Sequence, residues 1–429
     1  MEYIRVRKSG PLHGTVKVSG AKNAALPILA ASLLATEEVI LEEVPPLKDV
    51  EVMIKVLRSL GAKVEYLEEE KIRIDSSGVD HYEAPGELMN LMRASFLVMG
   101  PLLTRLGRTR TRLPGGCNIG KRPVDLHLKG FYHLGAILDE DADSIGAKAP
   151  EGGLQGGTVY LDFPSVGATQ NIMMAASMAK GETQIDNAAK EPEIVDLANF
   201  LNKMGAHVRG AGTSTILIEG VERLKGARHS IIPDRVEAAT FLVAAAMTYG
   251  QVRVEHVIAS HIRPILAKLV EAGSKVEVAE DEDVIQVSPG QPLSAIKIRT
   301  LPYPGFPTDA QAQFMALMAI CQGQSKVEET VFENRFMHVD ELNKMGALIV
   351  TDGNEAVIRG VDHLVGASVN ATDLRAGAAL VIAGLVAQGE SHIHNVYHID
   401  RGYYKLEEKL RGLGADVERI FVEDEENEQ

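Results

Sequence analysis

Residues 57–64 read "LRSLGAKV", and the phrase returns as "FYHLGAIL" (131–138), "LNKMGAHV" (201–208), "LVEAGSKV" (269–276), "LNKMGALI" (342–349) and "LRGLGADV" (410–417). Each copy has the form of a helix end. The glycine in each (Gly61, Gly135, Gly205, Gly273, Gly346, Gly414) supplies the left-handed residue that closes a helix and releases the chain into a strand. The spacing of roughly 70 residues is longer than that of ordinary solenoid repeats.

A second element repeats out of phase with the first. It comprises "NAALPILAASLLA", "RASFLVMGPLLTRLG", "ATQNIMMAASMAKG", "EAATFLVAAAMTYG", "QAQFMALMAICQG" and "RAGAALVIAGLVAQG", nearly all-apolar stretches that predict helices buried on every side. Their alanines and methionines read as close helix packing. Strand-turn-strand patterns such as "RVRKSGPLHGTVKV" and "IQVSPGQPLSAIKI" precede four of them, and short strands such as "EVILEEV" follow. One unit thus holds two helices and about four strands. Helices buried on all sides need sheets on several faces, so six units group as two sets of three. The expected architecture is α/β: two domains of three βαβ-type units each, packed around the buried helices, with a cleft between them. The Asp234–Arg235 junction marks the boundary, giving a first domain over 22–233 and a second built from 1–21 and 234–429.

Composition bounds the function. The 429 residues are 45% hydrophobic with no apolar run long enough to span a bilayer, and the start "MEYIRVRKSG" lacks the core of a signal peptide, so a cytoplasmic protein is expected. The net charge of −15 disfavours nucleic acid and anionic membranes as partners while leaving room for a small anionic ligand in a local basic cluster. The acidic end, about 422–429, reads as a disordered tail. Only Cys117 and Cys321 are present, and neither belongs to a disulfide framework in that compartment.

Every buried helix starts at a polar cluster: Lys22–Asn23, Arg93, "SVGATQN", Asp234–Arg235, Thr308–Asp309 and Asp373–Leu374–Arg375. Helix N-termini carry free N–H groups and the positive dipole end, so gathered starts form a seat for anions. Taken alone, Asp234, Asp309 and Asp373 read as N-caps. The two cysteines differ in setting. Cys321 lies inside "MALMAICQG" as a small buried hydrophobe, whereas Cys117 sits in "LPGGCNIGKRP" (113–123) among glycines, with Lys121 and Arg122 close enough to favour a thiolate or a bound anion. His392, His394 and His398 alternate as along one strand face and its exit loop, and no metal site is expected. "GAGTST" at Gly210 is followed by a strand and reads as a hairpin turn rather than a dinucleotide loop.

The segments "SGAKNAALP", "MRAS", "LPGGCNIGKRPVDLH", "SVGAT", "NAAKEPEIVDLANFL", "PGFPTDAQAQ", "ENRFMHVDEL", "ATDLRAGAAL" and "YHIDRGYYKLEEKL" together resemble the enolpyruvyl transferase family over essentially the whole chain. The cysteine loop points within it to the members acting on UDP-N-acetylglucosamine in peptidoglycan synthesis. The resemblance implies two inside-out α/β domains and transfer of the enolpyruvyl group of phosphoenolpyruvate to the sugar 3-hydroxyl, with release of phosphate and without a cofactor. It implies that Cys117 is the general acid, able to hold a covalent phosphoenolpyruvate or pyruvate adduct and to react with fosfomycin. Lys22, Arg122 and Arg401 match the cationic clamp on phosphoenolpyruvate. Asp309 matches the carboxylate that takes the hydroxyl proton. Asn23, Arg93, the run Arg122, Pro123, Val124, Asp125 and Leu126, the run Ser165, Val166 and Gly167, and Val331 match nucleotide-sugar contacts. Asp373, Leu374 and Arg375 match a second-domain motif, and Arg335 and His127 are further carry-overs. Where some members carry a lysine near the diphosphate, this chain has Phe163 and Pro164. Two other functions share the scaffold: transfer to a shikimate acceptor, and nucleotide-sugar binding without catalysis.

Overall fold

The computed structural model describes residues 2–112, 124–141, 144–279 and 283–422. The chain divides into two compact units, one containing residues 2–19 and 233–422 and the other 20–112, 124–141 and 144–232. It passes between them after Ser19 and again after Ile232.

Each unit is built around three buried helices. In the 20–232 unit the core helices are Lys22–Ala31, Met99–Leu106 and Val166–Ala176. In the other unit they are Arg235–Met247, Gln311–Met318 and Leu374–Gly384. They follow as first to sixth core helix in chain order. The fourth is buried continuously from Val236 to Met247, because its alanines let neighbouring helices approach on every side. Two of the expected starts are tighter than α-helix: Arg93–Val98 and Thr308–Ala310 are 3-10 segments feeding the second and fifth core helices. The i→i+3 bonding of such turns reorients the side chains at the entry.

Among the described residues there are six sheets, five of four strands and one of three. The third, fifth and sixth core helices each join two parallel strands of one sheet, as Thr158–Tyr160 and Glu182–Asp186 do around the third. Around the second the leading strand is reduced to a single parallel bridge, Glu83 to Arg110. For the first and fourth helices the parallel partner comes from a sequence-distant segment of the same unit: Arg228–Ser230 pairs with Val39–Glu42, and His13–Lys17 with Gln251–Glu255. Residues 13–17 therefore complete a sheet of the 233–422 unit.

The strand-turn-strand patterns resolve differently from hairpins. Glu2–Arg7 and His13–Lys17 lie in different sheets, as do Val284–Ser288 and Lys297–Arg299. Each turn is a corner between neighbouring sheets, and true antiparallel hairpins follow the outer helices instead, as Lys275–Ala279 does with Val284–Ser288. All six phrase glycines have positive φ, from 84° at Gly346 to 115° at Gly273, as helix closure at those positions requires. Gly210 and Gly212 also have positive φ, in the turn between the paired strands His207–Arg209 and Thr215–Glu219.

Candidate active site

In the 20–232 unit Lys22 is the first residue of the first core helix, where a cation opposes the positive dipole end. It is nevertheless 8% exposed, and its Nζ lies 3.2 Å from Oδ2 of Asp49, a buried residue in the first turn of the outer helix Lys48–Ser59. A buried cation at a helix start is tolerated only beside such a partner. Asn23 follows, half-buried.

A second cluster of this unit joins Arg93, Phe96, His127, Gly167 and Asn171. Asn171 lies in the third core helix; its Oδ1 accepts from the Gly100 amide at 2.7 Å, and its Nδ2 donates to the Phe96 carbonyl at 3.1 Å and to His127 Nδ1 at 3.1 Å. The His127 ring meets Phe96 edge-on at 5.0 Å. Burial, with a smaller contribution from Arg93, pushes the His127 pKa down to about 3, so the ring is neutral. Burial also lowers the Arg93 pKa, which leaves a guanidinium charged at neutral pH. Ser165 caps the third core helix, accepting from Ala168 N at 3.3 Å, while Val166 and Gly167 stay half-buried at its tip. A Cβ at Gly167 would stand 3.2 Å from His127 Cε1, so a larger residue there would press on the ring. Val124 is buried, Leu126 half-buried and Asp125 exposed, at the start of the helix Asp125–His133.

In the 233–422 unit the three aspartates separate by role. Asp234 caps the fourth core helix through Val236 and Glu237 N–H, and Asp373 caps the sixth through Arg375 and Ala376 N–H. Asp309 caps nothing in that manner. Its Oδ1 accepts from Arg335 at 3.0 Å and its Oδ2 from Arg375 at 3.4 Å, and its side chain is 27% exposed. Arg375 is fully buried; burial opposes its charge, but Tyr403, Asp309 and Asp234 outweigh burial and raise its pKa. All three helix-start aspartates thus converge on Arg375, two by charge and Asp373 by capping its helix. Tyr403 shares its hydroxyl with Thr240 at 2.9 Å and accepts from Gln313 at 3.2 Å. Leu374 is half-buried beside this cluster.

Arg401, 8% exposed, follows the short helix Tyr397–Asp400 and contributes, after burial, to lowering the His398 pKa. Val331 is placed by Glu329, whose buried carboxylate accepts from Val331 N at 2.8 Å, Thr300 Oγ1 at 2.8 Å and Thr308 Oγ1 at 2.9 Å. One carboxylate therefore sets both the Val331 loop and the turn that leads into Asp309.

Cys117, Arg122 and Pro123 lie outside the described residues, as does the acidic tail from 423. Cys321 is buried, donates Sγ–H to the Leu317 carbonyl at 3.3 Å, and has its pKa pushed up to about 12 by burial. His392 and His394 flank Tyr3, with ring centroids at 4.7 and 5.5 Å, while His398 sits on a separate helix. No group of metal-ligating side chains occurs among the described residues, nor does a helix long and apolar enough to cross a membrane. Reading the sequence missed Asp49, Asn171, Glu329 and Tyr403. Asp49 and Glu329 carry one visible signal, an acidic residue placed where an apolar face or a strand end runs inward.

Residues 6–410 match the family described as EPSP synthase (3-phosphoshikimate 1-carboxyvinyltransferase). The chain is 66% identical over 424 residues to the UDP-N-acetylglucosamine 1-carboxyvinyltransferase of Finegoldia magna, covering 99% of this chain and 100% of that one. It is 59% identical over 414 residues to UDP-N-acetylglucosamine 1-carboxyvinyltransferase 1 of Caldanaerobacter subterraneus subsp. tengcongensis, covering 96% and 98% of the two chains. Among solved structures, the enolpyruvyl transferase NikO from Streptomyces tendae superposes with a TM-score of 0.87 at 25% identity, covering 98% of this chain and 99% of that one. By sequence over nearly its whole length and by fold, the chain belongs to the EPSP synthase family of carboxyvinyl transferases.

Proposed function

We propose that this protein transfers the enolpyruvyl group of phosphoenolpyruvate to the 3-hydroxyl of UDP-N-acetylglucosamine and releases phosphate, the entry step of peptidoglycan synthesis in the cytoplasm. The observation that carries the reading is the 66% identity, over the full length of both chains, to a relative of that name. Addition to the vinyl carbon needs an acid at the methylene, cations for phosphate and carboxylate, and an acceptor for the hydroxyl proton. Cys117 is the acid. Lys22, Arg122 and Arg401 hold phosphoenolpyruvate, and the two of these within the described residues are buried arginine and lysine side chains suited to a dianion.

Asp309 is the proton acceptor. Its partly exposed carboxylate is oriented by Arg335 and Arg375, so it meets the hydroxyl in one geometry. Arg93, Asn23, Arg122, Pro123, Val124, Asp125, Leu126, Ser165, Val166, Gly167 and Val331 bind the nucleotide sugar, with Asp373, Leu374 and Arg375 completing the wall around Asp309. The tip of the third core helix offers backbone N–H groups to a diphosphate. No bound cofactor enters this chemistry.

Phosphate release from phosphoenolpyruvate tests the reading, measured once with UDP-N-acetylglucosamine and once with shikimate 3-phosphate. Turnover with the nucleotide sugar alone is expected. Turnover with the shikimate acceptor alone reassigns the substrate, and binding of the nucleotide sugar without turnover reassigns the protein as a binder.

A further inference from the structure

The His127 ring has two nitrogens, and the structure settles which of them bears the proton. Asn171 decides it. A backbone N–H can only donate, so the 2.7 Å bond from Gly100 N identifies the Asn171 atom it meets as the carbonyl oxygen. The other terminal atom is then the NH₂, which agrees with its 3.1 Å bond to the Phe96 carbonyl. That NH₂ also lies 3.1 Å from His127 Nδ1, which must accept. In a neutral imidazole the proton then sits on Nε2.

The Cε1–Nε2 edge of the ring is the edge facing Gly167: a Cβ on that residue would lie 3.2 Å from Cε1 and 3.3 Å from Nε2. We propose that Asn171 is a positioning residue that locks His127 as the Nε2–H tautomer, so that a single fixed N–H donor faces the tip of the third core helix and an oxygen of the nucleotide sugar's diphosphate. The identity of the ligand rests on the proposed function; the tautomer does not.

The surroundings favour a neutral donor at this place. Arg93 is the charged group that acts on the ring, from the 3-10 segment Arg93–Val98, and it disfavours a second positive charge. The third core helix carries no titratable side chain between Val166 and Ala176. The ring's own helix carries Asp125, Lys129, Tyr132 and His133, the strand Thr158–Tyr160 carries Tyr160, and the strand Ile137–Glu140, also packed on that helix, carries Asp139 and Glu140. Lys129 is engaged with Asp162 at 2.7 Å. A wrong tautomer would turn a lone pair toward the ligand oxygen, replacing attraction by repulsion.

The test is nitrogen NMR of histidine-labelled protein, with the His127 signal identified by its loss in His127→Gln. The wild type should show the Nε2–H form at neutral pH and no protonation down to about pH 5. Asn171→Asp keeps the volume and the acceptor for Gly100 N but places a carboxylate oxygen at Nδ1. It should move the proton to Nδ1 and bring the titration of the ring toward neutrality. The KM for UDP-N-acetylglucosamine should then rise about tenfold to a hundredfold at alkaline pH and recover at acid pH, where the imidazolium restores Nε2–H. A purely structural asparagine would change the thermal midpoint alone, leaving tautomer and pH profile as in the wild type, and that result overturns the proposal. So does an Nδ1–H wild type, a measurement that needs no variant. If UDP-N-acetylglucosamine is not turned over, the functional reading falls, while a tautomer shift in Asn171→Asp still upholds Asn171 as the lock.

Discussion

Asp309 differs from Asp234 and Asp373 by its partners, although all three stand at the start of a core helix. Asp234 and Asp373 spend their carboxylates on two backbone N–H groups each, whereas Asp309 spends its carboxylate on two guanidinium groups. Asp309→Asn should lower kcat at least about a hundredfold in the phosphate-release assay, because an amide can neither take the proton nor balance buried Arg375. A kcat within a few-fold of wild type would remove Asp309 from the chemistry. At the thiols, burial holds Cys321 protonated with a pKa near about 12, so alkylation or fosfomycin addition followed by mass spectrometry should mark Cys117 and leave Cys321 unmodified. At the third core helix, Gly167→Ala should displace the His127 ring and raise the nucleotide-sugar KM about tenfold, with the fold intact by circular dichroism.

At the scale of the element, the six helix-closing glycines allow a graded test. Gly205 has φ of 104° and nothing within 4 Å of an added Cβ, so Gly205→Ala should cost only the backbone term, about 1–2 kcal/mol. Gly61 has φ of 105°, but its Cβ would meet the Gly78 carbonyl oxygen at 2.4 Å, and backbone cannot swing aside as a side chain can. Gly61→Ala should therefore be the more destabilising of the two by urea denaturation, and equal costs would show that Gly78 yields. The helix closures themselves were legible from residue order, because a left-handed cap is a local need that glycine meets best. The pairing of the flanking strands was not. "RVRKSGPLHGTVKV" has the alternation of a hairpin, yet its strands enter two sheets, since alternation reports which face is buried and not which strand lies alongside.

For the whole molecule, acid should be destabilising through buried neutral histidines. His338 is 1% exposed, and burial, aided by Arg335 and opposed by Asp373, lowers its pKa to about 4. In the unfolded chain a histidine titrates near about 6.5, so the unfolded state binds the extra proton first. The stability His338 contributes is present above that value and is lost as pH falls toward its folded pKa. The thermal midpoint should drop between about pH 6.5 and pH 4, and His338→Gln should flatten that drop. A midpoint that falls as steeply in His338→Gln would place the acid sensitivity elsewhere, and His127, depressed to about 3, is the next group to remove.

The order of residues alone determined the elements, the repetition of the unit and the α/β class, because capping and burial periodicity act over a few neighbours, while the list of candidate site residues followed from the motifs that resemble the enolpyruvyl transferase family. Contacts between distant residues decided the rest. Lys22 meets Asp49 across 27 positions, His127 meets Asn171 across 44, and Asp309 meets Arg375 across 66. Each of these pairs fixes the charge or the direction of a side chain whose type was already visible. A donor's presence follows from sequence, but its aim follows from the partner that packing brings beside it, and no local pattern encodes that partner.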